Sequence, residues 1–317
     1  MTSIDILIAS AGGLPDGPES GGPGLHAWRR RAADAAAGIL PPPVMLLLAI
    51  LSMQLGAAVA IKLFAALGPS GTVFFRLGFS ALVLAIAARP QLRAISPAQW
   101  RGIVVLGAAI AMMNLPFYWA IARIPLGVAS AIQFIGPLVV GMATSRRPRD
   151  FLWLAMAAGG IAILSGDIGT ALDPTGILYA LLAAAGWGAF VVATKWVGKT
   201  GGSAGSSGGL ALSLAASAIV TAPFYLAGGG LDQASWLAVG GALVVAILST
   251  ALPISLEFAA LKRLPARAYS VLVTLEPVTA AIVGLVLLGQ PLDARVSLAI
   301  GLITVASFGV TLFDRPR

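Results

Sequence analysis

The sequence has no cysteine, and its only histidine is His26. Disulfide bonds, thiol catalysis and zinc sites built from cysteine and histidine are therefore excluded. Charged residues are also scarce, at 10% of the 317 residues, whereas hydrophobic residues make up 58%. A soluble domain carries about 25% charged residues, so this chain has too few charges to cover a surface that faces water. The composition predicts a protein whose surface faces lipid.

Long apolar segments dominate the chain after residue 40. Residues 1–40 are rich in glycine, proline and alanine, and we expect them to form a disordered cytoplasmic tail. A bilayer core about 30 Å thick needs roughly 20 apolar residues per helix. Ten segments reach or approach that length, at about 43–66, 69–88, 101–122, 125–144, 151–167, 175–196, 208–227, 236–261, 265–288 and 293–313. We therefore predict an all-α membrane protein with ten transmembrane helices.

The basic residues between these segments are distributed unequally. With the N-terminus inside, fifteen of them are cytoplasmic, and the outer loops hold Arg123 and Arg295. The fifteen are Arg29, Arg30, Arg31, Arg89, Arg93, Arg101, Arg146, Arg147, Arg149, Lys199, Lys262, Arg263, Arg267, Arg315 and Arg317. The positive-inside rule then predicts that both termini are cytoplasmic, which an even number of spans requires. The formal charge of +8 reports this topology, and we expect no nucleic-acid partner.

The second half of the chain repeats the first. "RIPLGVASAIQFIGPLVVG" (123–141) aligns with "RLPARAYSVLVTLEPVTAA" (263–281), and the alignment pairs Pro137 with Pro277. Five spans per half is an odd number, so the second half inserts in the opposite orientation and the repeats are inverted, with a binding site near the middle of the membrane between them. The predicted repeats are residues 41–167 and 168–317.

An acidic residue lies at the centre of an apolar segment, "SVLVTLEPVTAAIVGLVLL" (270–288). A carboxylate at this depth costs roughly 2.5–3.5 kcal/mol, so Glu276 needs a cavity or a partner. Pro277 has no N–H and leaves the Val273 carbonyl without its helical donor, as Pro137 does for Gln133. We interpret both prolines as helix breaks and Glu276 as lining a cavity. The alternative is that Glu276 is a structural partner for a neighbouring helix and the proline only a bend.

Two further charged residues lie within predicted spans. Arg76 requires an anionic partner, which is either Glu276 or the carboxylate of a substrate. Glu257 lies nearer the cytoplasmic end of its span, where it either meets a substrate ammonium group or pairs with a cation such as Lys262.

Polar and aromatic residues complete the candidate site. Gln133 and Asn114 are candidates for substrate contact, although amides in membranes often join helices instead. Tyr118, Trp187, Tyr269 and Phe117 are candidate cavity walls, and the alternative for tyrosine and tryptophan near span ends is an interfacial belt.

The sequence contains no HExxH motif, no Walker loop and no nucleotide-binding domain. We therefore expect neither an enzyme nor a resident cofactor or metal.

"PISLEFAALKRLPARAYSVLVTLEPVTAAIVGLVLLGQPL" resembles the second half of the EamA-type drug/metabolite transporters, and most of all their threonine/homoserine exporter subgroup. "FYWAIARIPLGVASAIQFIGPLVVGMATSRRPRDFLWL" is similar to the fourth and fifth helices of that subgroup, and the resemblance covers about residues 43–313. It implies ten helices in two inverted halves, a central cavity and export of small metabolites, often amino acids, from the bacterial cytoplasm. Two residues depart from the pattern: Gln133 and Gln290 stand where the subgroup usually has glutamate.

These observations predict a secondary exporter in the bacterial inner membrane that works by alternating access. Threonine and homoserine are the first substrate candidates, and proton antiport is compatible with a glutamate in the cavity. Export of aromatic amino acids or drug-like amines is the alternative within transport. A non-transporting membrane scaffold or an integral-membrane enzyme is the alternative from another class.

Overall fold

The computed structural model describes residues 40–143, 148–165, 172–199, 207–228, 235–261, 263–264 and 266–313. The regular structure of those residues is entirely helical. The helices are α1 (Pro42–Ala88), α2 (Pro97–Ile121), α3 (Leu126–Gln133), α4 (Ile135–Ala143), α5 (Pro148–Ser165), α6 (Pro174–Lys199), α7 (Ser207–Ala227), α8 (Trp236–Ala246), α9 (Leu252–Leu261), α10 (Ala266–Val273), α11 (Glu276–Leu288) and α12 (Ala294–Phe313). A 3-10 turn at Leu92–Ala94 precedes α2, and a π-helical segment at Ile247–Ala251 joins α8 to α9. Residues 1–39 of the predicted tail (1–40) lie outside the described residues, as do Lys262 and the loop cations Arg146 and Arg147.

Several of these helices suit a bilayer rather than water. Within the described residues, six helices are long and apolar enough to cross a membrane. The shorter segments Leu126–Val140 and Ala294–Gly309 are also apolar. Large apolar side chains point outward, for example Ile219 at 73% exposed and Val286 at 71% exposed. Patches of this kind are costly in water and favourable against lipid. The protein is a multi-pass, all-helical membrane protein.

The helix α1 contains two predicted spans joined by a sharp break. Gly68 has φ 64°, a conformation that suits glycine, and Pro69 follows it. The ring of Phe64 lies 5.9 Å from that of Tyr118, and the Arg76 guanidinium lies 5.6 Å from the same ring. Residues on both sides of the break therefore contact the same residue of α2, Tyr118. This shows that the chain reverses direction around Gly68.

Close helix crossings depend on small residues. Gly186 on α6 meets the backbone of Met112 and Met113 on α2, where a side-chain carbon would lie 2.5 Å from either. Gly56 on α1 lies against Ser249 of the π-helical segment, where such a carbon would meet the serine side-chain oxygen and, at 3.1 Å, its backbone nitrogen. Small residues allow membrane helices to approach at backbone distance. These contacts bring α2 onto α6, and α1 onto α8 and α9.

Candidate functional site

The helix carrying Glu276 is broken at that residue. Helix α10 ends at Val273 and α11 begins at Glu276, directly before Pro277. In between, the N–H groups of Thr274 and Leu275 donate to carbonyls only three residues back, at 3.2 and 3.0 Å. Because Pro277 has no N–H, the break leaves backbone carbonyls without regular helical donors.

The other half of the chain has a similar break. Helix α3 ends at Gln133 and α4 begins at Ile135, two residues before Pro137. Gln133 is buried, and its side-chain amide donates to the carbonyl of Met113 on α2 at 3.4 Å. The amide thus joins two helices in this conformation.

Glu276 and Glu257 belong to one polar cluster. Both are partly buried, and they are near enough to each other and to the Tyr269 hydroxyl to interact electrostatically. Gln54 on α1 is buried and donates to the backbone carbonyl of Glu276 at 3.4 Å. Two like-charged carboxylates in an apolar setting favour an arrangement in which they share a cation or a proton. The cluster therefore places two acidic side chains beside a buried tyrosine in the bundle interior.

Arg76 is held by two residues of α2. Its Nη1 donates to Oδ1 of Asn114 at 2.6 Å, and its Cζ lies 5.6 Å from the ring centroid of Tyr118. Asn114 is itself oriented, because its Nδ2 donates to the Ile110 carbonyl at 2.8 Å. Asn114 and Tyr118 are both buried, so the guanidinium points into the bundle. Arg76 makes no contact with Glu276, one of its two predicted partners. Its contacts are with the Asn114 amide and the Tyr118 ring.

The remaining aromatic candidates are packed inside the protein. Trp187 contacts Phe134 edge to face at 5.2 Å, beside the α3–α4 break. Tyr269 is 1% exposed and packs in a cluster with Met45 and Leu46 of α1. Phe117 is partly buried and meets Tyr118 with ring centroids 6.4 Å apart. All of these rings lie within the helix bundle.

The sequence analysis missed a set of small polar residues around the π-helical segment. The Leu252 N–H donates to Ile247 and Pro253 has no N–H, so the Leu248 carbonyl lacks its usual donors. The Ser52 hydroxyl replaces them at 2.7 Å. Two residues further along the segment, the Ser80 hydroxyl donates to Thr250 at 2.9 Å. The available signal was Pro253 inside an apolar run, together with isolated serines on neighbouring spans.

An exposed ion pair lies at the end of the bundle opposite the Glu257 cluster. Arg123 donates to Asp173 at 2.9 Å, and both side chains are substantially exposed. This hydrogen bond, together with one from the Thr175 N–H, holds the pKa of Asp173 below its usual value. Nearby, the Trp119 indole donates to the Ser70 hydroxyl at 3.0 Å, next to the α1 break.

An apolar groove of about 670 Å³ lies elsewhere, along α2, α4 and α6. Its walls are aliphatic residues and glycines, with Trp196 at one side, and none of the predicted site residues contributes to it. The groove therefore offers no charged side chain that could bind a polar metabolite, and the polar clusters inside the bundle are the candidate site.

Comparison with known proteins agrees with this architecture. Residues 174–312 match the EamA-like transporter family. The chain is 36% identical over 274 residues to the threonine/homoserine exporter RhtA of Escherichia coli K12, covering 86% of this chain and 92% of that protein. The RhtA of Salmonella typhimurium LT2 has the same identity and coverage. A solved crystal structure, 18% identical, shares the fold with a TM-score of 0.52 over 89% of this chain and 97% of its own. The chain belongs to the EamA-like transporter family and is similar to its threonine/homoserine exporters.

Proposed function

We propose that the protein exports small amino acids across the bacterial inner membrane, with threonine and homoserine as the first candidates. The observation that carries the proposal is the 36% identity to threonine/homoserine exporters over nearly the whole folded chain. The interior polar groups fit such a substrate. A guanidinium on α1 suits a carboxylate, and the acidic cluster of Glu257 and Glu276 suits an ammonium group.

The proposal includes ten spans arranged as two inverted repeats that rock about a central site. The helix breaks before Pro137 and Pro277 support it, because they fall at equivalent positions of the two repeats. Helix packing supports it as well. If each helix is replaced by its counterpart in the other repeat, the α2–α6 contact becomes the contact of α8 and α9 with α1. Both contacts are extensive. It also turns the α4–α6 contact into the α11–α1 contact, which is present.

The acidic cluster is the proposed point of coupling to protons. Glu257 and Glu276 interact with each other and with Tyr269, and within the described part of the chain neither forms an ion pair. A carboxylate without a cation in a membrane interior binds a proton readily, and a substrate ammonium group can displace it. Exchange of one for the other at this cluster would produce antiport.

The test is counterflow in proteoliposomes containing the purified full-length protein. We expect labelled L-threonine to accumulate against an internal pool of L-threonine or L-homoserine, and not in vesicles without protein. A panel that adds L-phenylalanine, L-tryptophan and a lipophilic amine tests the alternative substrates. Exchange restricted to the aromatic or amine members would replace the threonine assignment, and no exchange with any member would reject the transport function.

A further inference from the structure

We propose that Arg76, held by Asn114 and Tyr118, binds the carboxylate of the transported amino acid, so that a free carboxylate is the feature required of every substrate. This inference rests on the proposed function, since it assigns one part of the substrate to one side chain. It also makes a claim about ligand binding that can be measured without transport.

Arg76 carries an uncompensated charge. Within the described residues, no acidic side chain lies within ion-pair distance of its guanidinium. It donates a hydrogen bond to the neutral Asn114, and its Nε is buried without an acceptor. A bare cation among membrane helices is expensive, and such groups are usually neutralised by a partner or belong to a functional site. The missing partner is therefore an anion that is not part of the described chain.

The acidic cluster does not supply this anion. Ser80 hydrogen-bonds Thr250 and therefore lies level with it in the bundle. Arg76 precedes Ser80 by one helical turn, toward the α1 break, whereas Glu257 follows Thr250 by two turns toward the other end. At about 1.5 Å of rise per residue, the backbones of Arg76 and Glu257 are on the order of 15 Å apart along the bundle. Glu276 interacts with Glu257 and Tyr269 and makes no contact with Arg76.

The residues around Arg76 present its guanidinium for a planar anion. Asn114 engages Nη1 with an oxygen whose orientation is set by the Ile110 carbonyl, and the Tyr118 ring supports the cation from its face. This leaves Nε without an acceptor, and Nε and Nη2 together form the edge that carboxylates bind with two parallel bonds. Because Nε is buried here, the edge opens only when the surrounding helices separate, as alternating access requires.

The experiment measures ligand-induced thermal stabilisation of the purified full-length protein in detergent. The ligands are L-threonine, L-homoserine and L-phenylalanine, with L-threoninol and homoserine lactone as counterparts that lack a free carboxylate. A ligand that binds only the folded state raises the unfolding midpoint in proportion to its occupancy. In the wild-type protein we expect stabilisation by at least one amino acid and none by the carboxylate-free counterparts.

Three variants separate recognition from structure. Arg76→Gln removes the charge, and we expect at least a tenfold loss of apparent affinity, the size of one charge-assisted hydrogen bond. Asn114→Asp gives the guanidinium an internal carboxylate, so we expect unchanged or higher stability without ligand and a similar loss of affinity. Arg101→Gln, which removes an exposed arginine from α2, is the control and should bind as wild type.

The inference is overturned if carboxylate-free counterparts stabilise the wild type as well as the amino acids do, or if no amino acid stabilises it. It is also overturned if Asn114→Asp binds amino acids with wild-type affinity, because Arg76 would then be only a structural residue. Arg76-dependent binding without counterflow would support the carboxylate site and reject the export function, so the two failures are distinguishable.

Discussion

The contact of Gly186 with α2 makes a quantitative prediction about the central helix crossing. A side-chain carbon at position 186 would lie 2.5 Å from the backbone carbon and oxygen of Met112 and from the nitrogen of Met113. To restore a 3.4 Å contact, α6 and α2 would have to move apart by about 0.9 Å. Backbone atoms cannot turn away as a flexible side chain can, so Gly186→Ala must displace one helix from the other.

Overpacking of this kind costs about 1–3 kcal/mol. We therefore expect Gly186→Ala to lower the midpoint of thermal unfolding in detergent by several degrees. The displacement also affects function, because Asn114, which orients Arg76, follows Met112 and Met113 directly on α2. Amino-acid binding and counterflow should fall together with stability.

The matched control is Gly240→Ala on α8. Gly240 is also helical, but an added side-chain carbon would meet nothing within 4 Å. There the higher helix propensity of alanine should leave stability unchanged or raise it by up to about 1 kcal/mol. The reasoning would be refuted if the two variants unfolded at the same temperature, since the close approach of α6 and α2 would then carry no energetic weight.

Three further predictions concern the acidic cluster, the ion pair and the topology. Glu276→Gln should keep the fold, since it preserves volume and hydrogen bonding, but should abolish threonine counterflow or shift its pH dependence; wild-type transport at every pH would leave helix packing as the role of Glu276. The hydrogen bonds to Asp173 lower its folded pKa, so the stability they contribute is present above the usual aspartate pKa and is lost as pH falls through the folded value. Because the pair with Arg123 is exposed, we expect Asp173→Asn to change thermal unfolding little at neutral pH and to flatten this acid dependence, and a large loss at pH 7 would contradict that view. Reporter fusions after residue 200 and at the C-terminus should both read as cytoplasmic, and a periplasmic signal at either would contradict the inverted-repeat topology.

The positions of the helices were predictable to within a few residues. Apolar run length and proline and glycine boundaries are local properties of the chain, and the bilayer demands about 20 apolar residues at each crossing. The predicted segment 101–122 corresponds to α2 at Pro97–Ile121, and the predicted segment 208–227 corresponds to α7 at Ser207–Ala227. The interruptions before Pro137 and Pro277 were visible for the same reason, because a proline lacks its N–H wherever the helix lies.

The partners of the polar residues were not predictable in this way. Arg76 was expected to need an acidic partner or a substrate, and the choice of Asn114 and Tyr118 depends on how α1 turns at Gly68 and lies against α2. The roles of Ser52 and Thr250 likewise depend on the π-helical segment, which shifts the register of one turn and frees a carbonyl for another helix to satisfy.

The sequence by itself therefore determined a lipid-embedded helical protein with a few charges that the membrane interior makes costly. It also indicated the helix breaks near Pro137 and Pro277, since proline acts through its own backbone, although Pro116 and Pro223 lie inside continuous helices. Only the tertiary structure decided that the charges separate into two groups, an arginine supported by an amide and a ring, and two glutamates near Tyr269. The reason is that contacts between residues far apart in sequence follow from helix crossings, and these crossings depend on small residues such as Gly186 and Gly56. The local sequence does not indicate which helix each of these residues contacts.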